Sequence, residues 1–172
     1  MGQISTIERD QAPEELRPTY DAIAKKLGAM LNFFKTMVHS PGLLPAFLGL
    51  NGTQSKSALD PKLRELAYLR VSEVNGCEYC VHYHRMAAKS AGWSDAELGG
   101  IASADFGSGL DDLARDVIHF ADQVTKTCRA DDAVVARLKA KLSEREVVEL
   151  AATVALANYT NRVNMALAID LP

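Results

Sequence analysis

Apolar residues recur along the chain at intervals of three and four, the period of a helix with one buried face. Tyr20, Ile23 and Leu27 mark a first segment of this kind, which Gly28 stops. Phe33, Phe34, Met37 and Val38 give a short second one, closed by Ser40-Pro41. Leu43, Leu44, Phe47, Leu48 and Leu50 make a third, followed by a loop from Asn51 to Ser57. Asp60-Pro61 then reads as a helix cap with proline in the first helical position. That helix is predicted to reach Val74, where Asn75-Gly76 signals a turn, and the next to run from Cys77 to Ala91 before Gly92. Ser94 to Glu97 and Ser143 to Glu146 each have the serine and glutamate of a capping box, in which the two residues satisfy each other's free amides. Between the boxes, after a Gly107-Ser108-Gly109 loop, Leu113, Val117, Phe120, Ala121 and Val124 mark one helix. Val134, Val135, Leu138 and Leu142 mark another, and the second box opens a last helix towards Ala168. No segment sustains the alternation that a half-buried strand needs. The pattern predicts one all-α domain across residues 1–172.

Composition sharpens that picture. Hydrophobic residues make up 48% of the 172 and charged residues 24%, enough for a sizeable core. A net charge of −3 with no dense basic run argues against a nucleic-acid partner held through its phosphates. The longest uncharged stretch towards the C-terminal end, Leu150 to Asn161, is too short and too polar to span a bilayer. Glu8, Arg9 and Asp10 interrupt the opening residues, where a secretory signal needs an apolar run. Three cysteines are an odd number and too few for an extracellular disulfide framework. The expected setting is the reducing cytoplasm, with no membrane partner.

The segment that carries chemistry is Glu65 to His84, ELAYLRVSEVNGCEYCVHYH. On a helix starting at Cys77, Cys80 lies three residues on and His84 four beyond that, so both thiols and the imidazole form one stripe. Glu65 precedes Cys77 by 12 residues, about 18 Å along a continuous helix. A reversal at Asn75-Gly76 removes that distance and folds Glu65 back beside His84. A carboxylate that orients an imidazole, which in turn takes a thiol proton, is the arrangement of an activated nucleophile. The helix start favours a thiolate at Cys77, whereas the imidazole favours one at Cys80. The second cue assigns attack to Cys80 and closure of a disulfide to Cys77.

The pattern Glu-x11-Cys-x2-Cys-x3-His resembles the alkylhydroperoxidase D-like branch of the carboxymuconolactone decarboxylase superfamily, including its peroxidase-related proteins. The likeness runs from Asn32-Phe33-Phe34 through Ser40-Pro41 to Gly92, and returns from Asn158 to Pro172 with Asn161-Arg162 and Ala166-Leu167. It implies an all-helical fold, homo-oligomers (trimers or hexamers), and thiol-dependent reduction of organic or hydrogen peroxide with an external dithiol as reductant. It also implies that Cys80 is peroxidatic, Cys77 resolving, and Glu65 and His84 the proton relay. The chain departs from alkylhydroperoxidase D at Tyr79, where that enzyme has a histidine. Decarboxylase members lack the paired cysteines, so their lactone chemistry is not implied.

No cofactor motif is visible: no Gly-x-Gly-x-x-Gly follows a strand, and Cys80-Val81 breaks the haem attachment pattern. No metal is expected either, since a structural zinc takes four ligands. Cys77, Cys80 and His84 supply three, and Glu65 or His82 would have to be the fourth. Other readings stay open at this stage. One is a lyase or isomerase acting on a lactone-like metabolite with His84 and Glu65 as acid and base. Another is a redox-sensing or zinc-stabilised interaction module. Tyr79, Phe33 and Phe34 are candidates for the wall of a substrate pocket, with core packing as the competing role, and Cys128 reads as a structural thiol. Finally, Leu59-Asp60 leads to Glu65-Leu66-Ala67 much as Leu142-Ser143 leads to Glu149-Leu150-Ala151. A genuine repeat would give two related helical hairpins, with Asn161 and Asn164 standing where the first has Cys77 and Cys80.

Overall fold

A computed structural model describes residues 2–103 and 109–171. Among the described residues the regular structure is helical, without a strand. The helices are α1 (Arg17–Leu27), α2 (Asn32–Met37), α3 (Leu43–Gly52), α4 (Pro61–Asn75), α5 (Glu78–Ser90), α6 (Asp95–Ser103), α7 (Asp112–Thr127), α8 (Asp132–Lys139) and α9 (Glu144–Ala166). No helix among the described residues is long and apolar enough to cross a membrane.

The chain divides into two compact units. The first comprises Met1–Ser55 with Asn164–Pro172. In it, Phe33 meets Phe34 and Phe47 edge to face, with ring centroids 5.4 and 5.2 Å away. Tyr20 is buried and donates its hydroxyl to the Ile7 carbonyl at 2.6 Å, fastening the opening segment to α1. The C-terminal tail is held by Asn32 Nδ2 donating to the Asp170 carbonyl at 2.9 Å. Residues expected to form a loop after Asn51 stay helical: α3 continues to Gly52 and Thr53–Lys56 add a 3-10 turn. The hydroxyls of Thr53 and Ser55 bond back to the carbonyls of Leu50 and Gly52, both at 2.7 Å, and so supply partners that the helix end would otherwise lack.

The second unit, Lys56–Val163, holds the larger core. Helix α4 lies at its centre and packs on α5, α6 and α7. Its apolar residues, Leu66, Leu69 and Val71, are fully buried with Ala88 of α5, Ile118 of α7, and Leu150 and Val154 of α9. Arg70, also buried, forms a forked ion pair with Asp122 and donates to the Ile101 carbonyl. A buried guanidinium needs such partners, because leaving its charge unpaired would be strongly destabilising. Both capping boxes form: the Ser94 and Ser143 amides donate to Glu97 and Glu146 at 2.8 Å, and the glutamate amides donate back to the serine hydroxyls at 3.3 Å.

Two boundaries differ from the sequence reading. Helix α8 ends at Lys139, and Leu142 is buried in the turn beyond it. Helix α9 ends at Ala166, since Ala168 takes a left-handed φ of +47°. Gly107 and Ser108, expected in a loop, lie outside the described residues.

Candidate active site

The site is built by the α4–α5 hairpin. Asp60 caps α4 by accepting the Lys62 amide at 2.7 Å, and Pro61 fills a position whose amide would have no helical partner. At the other end Gly76 takes φ +71°, a left-handed conformation that glycine adopts without a Cβ penalty. The Cys77 amide then donates to the Ser72 carbonyl at 3.0 Å and the Gly76 amide to the Glu73 carbonyl at 3.1 Å, the paired bonds that close a helix and reverse the chain. Cys77 leaves this turn in an extended conformation as the N-cap of α5. Ser72 and Asn75 are braced from α9. Asn75 Nδ2 donates to Asn161 Oδ1 at 2.9 Å and to Asn158 Oδ1 at 3.1 Å, and Asn161 Nδ2 donates to Ser72 Oγ at 3.2 Å.

The two sulfurs are free thiols, both buried, and share a hydrogen bond at 2.7 Å. A disulfide bond between them would be about 2.05 Å long, so little movement separates the two states. Cys77 Sγ also accepts the Cys80 amide at 3.4 Å. The Cys77 thiol is held below its ordinary range, first by its hydrogen bond with Cys80 and then by the Cys80 and Tyr79 amides, against the opposing effect of burial. A sulfur at a helix N-terminus is well placed for this, because the unpaired amides there favour negative charge.

Glu65 and His84 come together across the hairpin, with Nδ1 of the ring 2.9 Å from Glu65 Oε2. Burial acts to raise the Glu65 carboxyl, but the hydrogen bond and charge of His84, with Arg64 Nε at 3.4 Å, outweigh it and leave the group below its usual range. As a carboxylate Glu65 can only accept, so Nδ1 carries the hydrogen of this bond, and in the neutral form of the ring the lone pair is on Nε2. Tyr68 stacks against the face of His84, with centroids 3.4 Å apart and planes 13° apart. Its phenol is pushed upward first by burial and then by the negative charge that Cys80, Glu65 and Cys77 can carry, which puts it within electrostatic reach of both thiols. The sequence reading passed over Tyr68, although three residues from Glu65 is the same face of α4.

The remaining candidates are dispersed. Tyr79 is buried beside Cys80 and packs on Tyr83 with centroids 5.1 Å apart. Phe33 and Phe34 belong to the first unit, where their faces are taken up by each other and by Phe47. They do not line that unit's open apolar groove, about 380 Å³ in volume and bounded by Pro18, Thr19, Ala22, Ile23, Lys26 and Leu48. His82 is exposed on α5. Cys128 is exposed as well, at the end of α7 with φ +60°, so it does not play the packing part expected of it. Among the described residues, no three His, Cys, Asp or Glu side chains converge as a metal site.

The carboxymuconolactone decarboxylase family pattern matches residues 41–123, which take in the whole α4–α5 hairpin. The uncharacterized protein YnjA of Escherichia coli is 32% identical over 123 residues, 69% of this chain. The match spans 65% of YnjA's own length. Among solved structures, the alkylhydroperoxidase AhpD core of a peroxidase-related protein from Ralstonia eutropha JMP134 superposes with a TM-score of 0.89. It is 20% identical, and the match covers 99% of this chain and 92% of that one. The debrominase Bmp8 has the same fold, with a TM-score of 0.84 at 23% identity over 98% of this chain and 91% of its own.

Proposed function

We propose that the chain, whose residues 41–123 match the carboxymuconolactone decarboxylase pattern, is a member of the alkylhydroperoxidase D-like branch of that superfamily and a thiol-dependent peroxidase working through Cys80, Cys77, His84 and Glu65. The observation that carries the reading is the pair of free, buried sulfurs at 2.7 Å on the same hairpin as a Glu65–His84 pair at 2.9 Å. Fold alone does not decide the reaction, since a debrominase shares it.

Cys77, the cap of α5, has its thiol held below the ordinary range and serves as the resolving group. Cys80 needs a base, and His84 Nε2 is the base that α5 provides one turn away. Once deprotonated, Cys80 attacks the distal oxygen of the hydroperoxide. The O–O bond breaks, the leaving alkoxide or hydroxide takes the proton from His84, and Cys80 becomes a sulfenic acid. Cys77 thiolate then attacks the Cys80 sulfur, forming the disulfide and expelling hydroxide, which takes back from solvent the proton that Cys77 released on ionising and leaves as water. An external dithiol returns both cysteines to thiols by exchange and is itself oxidised to a disulfide.

The test is to treat the protein with one equivalent of hydrogen peroxide or an alkyl hydroperoxide and map its thiols by mass spectrometry. The expected product is the peptide containing Cys77 and Cys80 lighter by two hydrogens. Cys80→Ser should abolish peroxide consumption, whereas Cys77→Ser should stop at a dimedone-reactive sulfenic acid on Cys80. Oxidation confined to the exposed Cys128 would overturn the reading. Sulfenic acid on Cys77 in the Cys80→Ser protein would instead move attack to the capping thiol and make the relay unnecessary for the first step.

A further inference from the structure

His84 is held at an edge and on a face, and both holds come from α4. Glu65 takes the edge through Nδ1, and Tyr68, one turn further on, takes the face. A single hydrogen bond fixes a direction but leaves an imidazole free to tilt about it. A parallel ring at 3.4 Å removes that freedom. We propose that Tyr68 is a positioning residue of the site, clamping the plane of His84 with its ring while its hydroxyl is tied to Thr160 of α9.

The tie follows from burial. The Tyr68 hydroxyl lies inside the protein, bonded to Thr160 Oγ1. Thr160 Oγ1 also sits 3.0 and 3.2 Å from the carbonyls of Ala157 and Leu156, one turn back on α9. A hydroxyl has one hydrogen to give. The carbonyls can only accept, so the threonine hydrogen goes to them and the phenol donates to Thr160. Helix α9 thereby sets the tilt of the Tyr68 ring, and that ring sets the plane in which His84 exchanges protons. The negative face of the phenol also favours the imidazolium that forms when His84 takes a proton.

What the clamp serves rests on the proposed peroxidase reading, but the clamp itself does not, and the experiment separates the two. Nitrogen-15 spectra of labelled histidine, with His84 assigned by its loss in His84→Ala, report which ring nitrogen carries hydrogen. Wild-type protein should show the Nδ1–H tautomer. In Tyr68→Met, which fills much of the volume without an aromatic face, the two nitrogens should move towards averaged positions. Single-turnover oxidation of the thiols should fall by about tenfold, the scale of one desolvated ring–cation contact. Tyr68→Phe keeps the face, so it should retain the tautomer and lose about two- to threefold in rate. Thr160→Val should lose the same amount, and the double variant no more than either, because all three break one bond. An unchanged tautomer and rate in folded Tyr68→Met overturns the proposal. If that variant does not fold, the Phe and Val pair decides, and additive losses or no loss at all overturn it. Wild-type thiols that ignore peroxide would remove the function reading alone, leaving the tautomer in Tyr68→Met to judge the clamp.

Discussion

Helices α4 and α9 both follow a leucine and a capping residue, and both carry a Glu-Leu-Ala triplet, but their two carboxylates meet different groups. Glu149 is enclosed by things that do not titrate near neutrality. One of its oxygens accepts the Ser57 hydroxyl at 2.8 Å and the Ala58 and Leu59 amides at 2.7 and 3.0 Å, and the other accepts Arg145 Nε at 2.9 Å. Glu65 faces an imidazole. The helices also end differently. Helix α4 breaks after 15 residues at Asn75-Gly76, whereas α9, with no glycine, runs for 23 and passes straight through Asn161. The break makes Cys77 a cap and brings a second helix with His84 antiparallel to the first. The unbroken helix supplies Asn161, Asn158 and Thr160 as braces. A carboxylate near a helix start is thus common to both regions, and the reversal after it is what turns one of them into a reactive site.

The largest test of this contrast exchanges the two carboxylates for amides. Glu65→Gln should slow the first thiol oxidation by roughly ten- to ten-thousand-fold, the range for disabling a general base or its partner, and His84→Ala should do the same. Glu149→Gln should leave that rate within about twofold, since it alters a loop anchor and no reacting group. Stopped-flow thiol oxidation at equal protein and peroxide concentrations measures all three. Equal losses at Glu65 and Glu149 would mean that both carboxylates serve stability alone.

Much of the contrast is legible in the amino-acid sequence. Helix periods, caps and the Asn75-Gly76 turn are local signals, and so is the spacing that brings Glu65 back to His84. Tyr68 was not legible, because its role depends on which residue of another helix meets its face. Thr160 was hidden, and Asn161 stood out only as the counterpart of Cys77, for the same reason: a polar residue in the middle of α9 declares a partner only when the facing helix is known. The helical turn at Thr53–Lys56 was missed because serine and threonine, read as loop formers, close it by bonding back to the preceding turn. Cys128 was misread because its neighbours give no sign that α7 ends there in a left-handed residue.

A second test acts on the break itself. Gly76→Ala forces a Cβ into φ +71°, and nothing lies within 4 Å of it, so the cost is conformational rather than steric packing. It should destabilise the protein by about 1–2 kcal/mol in urea melts. It should also lower the reactivity of Cys77 towards iodoacetamide, because the turn presents that sulfur to the α5 amides. A destabilised protein with unchanged Cys77 alkylation would show that the turn stabilises the hairpin without tuning the thiol.

The smallest expected effect concerns Glu149 and acid. Its carboxyl is pulled down to about 2, first by the Ser57 hydroxyl, with burial opposing, and then by Arg145 and the Leu59 and Ala58 amides. In the unfolded chain the same group titrates near its ordinary value of 4.5. The folded state therefore binds fewer protons at this site between those two values. Its contribution to stability is complete above about pH 4.5 and is lost as pH falls towards 2. Glu149→Gln removes the charge at every pH, and an amide is close in shape to a protonated carboxyl. Thermal midpoints of wild type and variant should be furthest apart near neutral pH, converge as the solution is acidified, and meet near pH 2. Glu97, depressed in the capping box with Ser94, is present in both proteins, does not feel Glu149 and cancels in the difference. A gap that stays constant from neutral pH down to 2 would show that the Ser57–Leu59 loop is held by shape and hydrogen-bond count rather than by the charge on Glu149.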